Sequence, residues 1–108
     1  MRDYKLFILD IEEAINKIFD YINGLDFTSF KNDPKTYDSV LHNILIIGEA
    51  ANKIPREVQL KYPAIDWAGI IGMRNIIVHG YFSIDVDIVW KTVTESLPEL
   101  LEKIKRIQ

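Results

Sequence analysis

A single hydrophobic rhythm runs along most of this chain and leaves little choice of fold. Tyr4, Ile8, Ile11, Ile15, Ile18, Ile22 and Leu25 recur at alternating spacings of four and three, with Phe7, Ala14 and Tyr21 widening the stripe. That period brings apolar side chains to one face of an α-helix and to no face of a strand. Asp10, Glu13, Asn16, Lys17 and Asp20 fall on the other face, and Gly24 marks the stop. The seam suits packing against a partner helix, in the same chain or in a second one.

The same logic reads the rest in order. Asp26 to Asn32 is expected as a polar connection with Phe27 and Phe30 tucked beneath it. Asp33-Pro34 reads as an N-cap followed by proline in the first turn, opening a second helix that reaches Ile54. Ile44 to Ile47 are apolar all round, so this helix is expected to be central, and Gly48 and Ala51 would let another helix come close. Glu49 stands beside that buried stretch and is expected at an edge, reaching solvent or a basic partner. Pro55 closes the helix, and Arg56 to Tyr62 offers short turns. Asp66 then caps a third main helix with Trp67, Ile70, Ile71, Ile77 and Val78 on its apolar face. Ser83, Asp85 and Asp87 signal a last helix, which Pro98 should kink or break. No run alternates like a strand. The expected fold is all-α, an up-and-down bundle of four long helices plus a short one, over a single domain spanning residues 1–108.

Composition narrows function by exclusion. A net charge of −3 and a pI near 5.3 argue against a protein that coats nucleic acid through a broad basic face. Without cysteine there is no disulfide and no thiol chemistry, which fits a reducing compartment. The N-terminal run Met1-Arg2-Asp3-Tyr4-Lys5-Leu6 contains no signal-peptide core, and no apolar run is long enough for a membrane span. A cytoplasmic protein with no membrane association is expected. Phosphate-binding glycine loops, nucleophile elbows and paired-histidine zinc motifs are all missing from the sequence. Asp85 and Asp87 point different ways at a helix start, so neither a metal site nor a cofactor is expected.

One segment remains in which chemically capable side chains interrupt apolar ones: Gly72-Met73-Arg74-Asn75-Ile76-Ile77-Val78-His79-Gly80-Tyr81. Arg74 carries a permanently charged fork of donors suited to phosphate, and His79 can move a proton near neutral pH. On one helix they lie about 140° apart around the axis and roughly 7.5 Å along it, flanking a shared groove. Spacing alone leaves two readings open. Arg74 can belong to a surface ion pair and His79 to the helix C-terminus, or the two can act on a substrate.

Arg74, four residues, His79, one residue, Tyr81 matches the motif of the HEPN superfamily, and the chain resembles the HepT-like toxins within it. The likeness extends through Ile46-Ile47-Gly48-Glu49-Ala50-Ala51, Tyr62-Pro63 with Ile65-Asp66-Trp67, Gly72-Met73-Arg74-Asn75, Val89-Trp90 and Leu97-Pro98. It departs at Gly80, where this branch often has Asp, which implies a looser Tyr81. His42 also stands where the family often has a basic residue such as Arg. The resemblance implies a metal-independent endoribonuclease, acting as a homodimer with the motifs facing across a shared cleft and leaving a 2′,3′-cyclic phosphate. Arg74 and His79 would be catalytic, with Asn75 and Tyr81 in support. It implies further a nucleotidyltransferase (MNT) antitoxin partner that adds AMP to Tyr81. The alternative is a non-catalytic helical subunit that binds a nucleotide or that partner.

Overall fold

The computed structural model describes residues 3–107. Met1 and Arg2, the start of the charged N-terminal run, and Gln108 lie outside the described residues. Helix α1 (Tyr4–Ile22) opens on Asp3, whose carboxylate accepts the Lys5 N–H at 2.9 Å. It buries Ile8, Ile11, Ile15 and Ile18, the middle of the predicted stripe. Each such side chain is worth roughly 1.5–3 kcal/mol when removed from water. The turn after α1 passes through Gly24 at φ 79°, a left-handed conformation that glycine adopts without steric cost.

The expected polar connection holds a helix of its own, α2 (Phe27–Lys31). Asp26 caps it by accepting the Ser29 N–H at 2.8 Å, and Phe30 supplies the anchor. Its ring is fully buried, with centroids 5.7 Å from Tyr37 and 5.0 Å from Trp90. One turn of helix is the geometry that lets Phe27 and Phe30, three residues apart, both reach Trp90.

Helix α3 (Pro34–Lys53) begins as predicted, with Asp33 accepting the Thr36 hydroxyl at 2.6 Å and its N–H at 3.2 Å. It is the central element, packed against α1 and against α5 (Trp67–Gly80). Between them lies the short α4 (Arg56–Lys61). Gln59 of α4 donates to the carbonyls of Ala51 and Ile54 at the end of α3, and Trp67 Nε1–H is shared between the carbonyls of Gln59 and Tyr62. These bonds join the end of α3, α4 and the start of α5 into one corner.

Helix α5 ends at Gly80 and differs from expectation on its apolar face. Trp67 and Ile77 are buried, but Val78 is 47% exposed. Ile77 already takes the core-facing position, and Val78, one residue further round, turns away from it. Gly80 does not stop the chain in a left-handed conformation; the path tightens into a 3₁₀ turn over Tyr81–Ser83.

Two helices follow, α6 (Val86–Lys91) and α7 (Leu97–Ile104), joined by a π turn over Thr92–Ser96. The predicted interruption at Pro98 takes this form. Proline offers no N–H to Thr94 and its ring would crowd that carbonyl in a regular helix, so widening the preceding turn keeps the helical path intact. Val89, Val93, Leu97, Leu100 and Ile104 close the core from this side. The fold is an all-α bundle of four long helical elements, with α2 as an additional short helix beside α4.

Candidate active site

Arg74 leaves α5 where that helix crosses α3, and Gly48 allows the crossing. A Cβ on residue 48 would overlap Arg74 Cβ and lie 3.2 Å from the Ile70 carbonyl, so only glycine lets the two backbones meet here. The next residue, Glu49, then faces the arginine. Nε of Arg74 donates to Oε1 of Glu49 at 2.5 Å, and Nη2 forms an ion pair with the same oxygen at 2.5 Å. Nη1 donates to Oδ1 of Asn75 at 2.9 Å. Glu49 is thus the basic-partner edge residue of the sequence reading, with Arg74 as the partner. With side chains 29% and 41% exposed for Arg74 and Glu49, the pair borders solvent and its charges are screened. Its chief effect is to hold the guanidinium in one orientation.

His79 sits in the last turn of α5, exposed, and its side chain makes no hydrogen bond or ion pair among the described residues. Its ring nitrogens are open to a ligand. Asn75 is bonded to Arg74 and not to His79, so an orienting role for Asn75 falls on the arginine. Tyr81 is not loose despite Gly80. Its hydroxyl donates to Oδ1 of Asp38 on α3 at 2.6 Å, and that carboxylate, with partial burial, raises its pKa above the ordinary 10.0. Asp38 escaped the sequence reading because 43 residues separate the pair. Arg74, Asn75, His79 and Tyr81 therefore share one helix and its 3₁₀ extension, clamped to α3 at two points by Glu49 and Asp38.

This surface is open. A cavity of about 390 Å³ between α3, α5 and α7, lined by Ile44, Ile47, Ile70, Met73, Leu97 and Leu100 among others, includes none of the motif side chains Arg74, His79 and Tyr81. Around the motif, apolar groups stand in solvent: Ile76, Val78 and, at 99% exposure, Phe82. Asp85 accepts the Asp87 N–H at 2.9 Å as an N-cap, and no cluster of three His, Asp or Glu side chains placed to hold a metal ion occurs among the described residues. No helix among them is long and apolar enough to cross a membrane.

The sequence profile described as "Ribonuclease HepT-like" matches residues 11–107, nearly the whole chain and all of this site. The chain belongs to the HepT-like ribonuclease family. Among its relatives is "Probable ribonuclease HepT" of Thermococcus cleftensis, 36% identical over 107 residues, covering 99% of this chain and 97% of that protein. "Putative RNase MJ1380" of Methanocaldococcus jannaschii is 34% identical over 104 residues, covering 96% and 95%. "Putative RNase TTE0752" of Caldanaerobacter subterraneus subsp. tengcongensis is 29% identical over 107 residues, covering 99% and 96%. No solved structure gives a significant match to the chain. In this HepT-like chain the family match extends over α3 and α5 together, so it covers the Glu49–Arg74 pair and the Asp38–Tyr81 contact.

Proposed function

We propose that this HepT-like chain is the toxin of a type II toxin–antitoxin pair, a metal-independent endoribonuclease that works as a single-domain homodimer in the cytoplasm. The observation that carries the reading is an anchored guanidinium and an unengaged imidazole on the same helix of a ribonuclease-family chain. RNA is cut when its 2′-hydroxyl attacks the adjacent phosphorus and the 5′-oxygen leaves. His79 serves this step as general base or acid. Arg74, already oriented by Glu49, stabilises the charge that develops on the phosphate oxygens. Tyr81 stacks on a base or bonds to the phosphate. Exposed Val78 and Phe82 suit burial against a second copy, which would bring two such sites to a common cleft.

The partner in this reading is a nucleotidyltransferase antitoxin that transfers AMP to Tyr81. The added nucleotide is bulky and negative, so it competes for Arg74 and repels RNA. The Tyr81–Asp38 hydrogen bond must open for that transfer. One observation favours the alternative, a non-catalytic nucleotide- or partner-binding subunit: Arg74 already shares its charge with Glu49. Incubating purified, unmodified protein with cellular RNA in EDTA separates the two. The nuclease reading requires cleavage, with upstream fragments ending in a 2′,3′-cyclic phosphate. Intact RNA across a broad panel would refute it.

A further inference from the structure

Asn75 links the Arg74 guanidinium to a groove between α4 and α5, and the lining of that groove carries a second, uncompensated guanidinium, Arg56. Asn75 belongs to both regions: its Oδ1 accepts from Arg74, and its side chain lines the groove. The groove encloses about 560 Å³, with Arg56 and Leu60 on the α4 side and Ile71, Gly72 and Asn75 on the α5 side. Arg56 is exposed and makes no ion pair or hydrogen bond through its side chain among the described residues, whereas Arg74 is paired with Glu49. Asp66 is the carboxylate within the lining, and it is engaged as an N-cap, accepting the Gly69 N–H at 2.9 Å. A free guanidinium here is notable in a chain of net charge −3.

The floor of the groove suits a flat group. A Cβ at Gly72 would meet nothing within 4 Å, so at that residue the backbone of α5 faces open space. Leu60, 66% exposed, and Ile71 flank it with apolar surface. Apolar surface for a base, with a fixed cation for a phosphate, is the combination by which single strands are held without sequence readout.

We propose that this groove is a second nucleotide subsite for single-stranded RNA. Arg56 holds the phosphate neighbouring the one at Arg74, and the intervening nucleoside lies over Gly72, between Leu60 and Asn75. The proposal rests on the reading of Arg74 as the position of the scissile phosphate.

Two variants test it, with cleavage of short single-stranded oligoribonucleotides measured across a salt series. Arg56→Ala should raise KM roughly ten- to a hundred-fold, the scale of one lost hydrogen bond to a charged group. It should also lower the slope of log KM against log salt by about 0.7, the value for one phosphate on a single strand. Lys17→Ala, which removes a charge on α1 paired with Glu13, should leave that slope at the wild-type value. Gly72→Leu puts a side chain into the groove from a position whose Cβ meets nothing within 4 Å, and leucine favours the helix over glycine, so KM should rise while the melting temperature does not fall. If wild type cleaves RNA and both groove variants match it in KM and salt slope, the subsite is overturned while the nuclease reading stands. A changed sedimentation mass in either variant would assign the groove to a protein contact and overturn it likewise. If wild type neither cleaves nor binds these oligonucleotides, both readings fall together.

Discussion

Arg74 and Gly48 meet where α5 crosses α3, and there is no room between them for a methyl group. The contact is with Cβ and Cγ of the arginine and with a backbone carbonyl, none of which can swing aside as the tip of a long side chain would. Gly48→Ala should therefore force the helices apart, at a cost of about 1–3 kcal/mol typical of overpacking. It should also displace the guanidinium, so RNA cleavage should fall further than the loss of folded protein explains. Urea denaturation run beside the cleavage assay checks this; wild-type stability in the variant would count against the close approach.

Glu49 holds the Arg74 guanidinium from α3. In Glu49→Gln the carboxylate that takes both Nε and Nη2 is gone, and Arg74 loses its fixed pose. Misplacement of a positioned group costs on the order of 10²-fold, so kcat should drop by roughly that factor with a smaller change in KM. Glu49→Asp should recover part of the rate. An unchanged kcat with tighter RNA binding would show instead that Glu49 only masks charge.

His79→Ala should lower the cleavage rate by about 10²–10⁴-fold, the usual worth of a general acid–base group. Arg74→Ala should do as much or more, since a donor to the developing charge contributes roughly 2.7–4 kcal/mol. His79 is exposed and has no hydrogen-bond partner among the described residues, so its loss should leave circular dichroism and melting temperature unchanged. Cleavage at the wild-type rate in His79→Ala would remove it from the mechanism.

Tyr81 should titrate late. The Asp38 carboxylate accepts its proton's hydrogen bond and repels the phenolate, so the folded-state pKa lies above 10.0. A raised pKa means the contact stabilises the fold below about pH 10 and loses that contribution as pH climbs through the folded-state value. Ultraviolet titration of wild type against Tyr81→Phe isolates this hydroxyl, and Asp38→Asn should move it down. No movement in Asp38→Asn would place the cause elsewhere.

Phe82, 99% exposed beside Val78 and Tyr81, is the side chain with most to gain from a second copy. Phe82→Asp should shift sedimentation from dimer towards monomer at micromolar concentration. A wild-type protein that is monomeric there would refute the homodimer.

Much of this architecture was legible before any coordinates. The four-and-three spacing of α1 and the Asp33-Pro34 and Asp66 caps each depend on neighbours within a few turns, so sequence by itself determined the long helices, the centrality of α3 and the identity of the motif helix, but not the short helix α2. The motif also named Arg74, His79 and Tyr81. Tertiary structure decided what those side chains touch. Glu49 is 25 residues from Arg74, and Asp38 is 43 from Tyr81. Its type places Val78 on the apolar face of α5, yet it is half exposed, since a short helix has one buried face and Ile77 occupies it. Local periodicity constrains which way a residue faces on its own helix. Only the antiparallel approach of α3 and α5 determines which residue stands opposite, and that opposition turns a motif into a site.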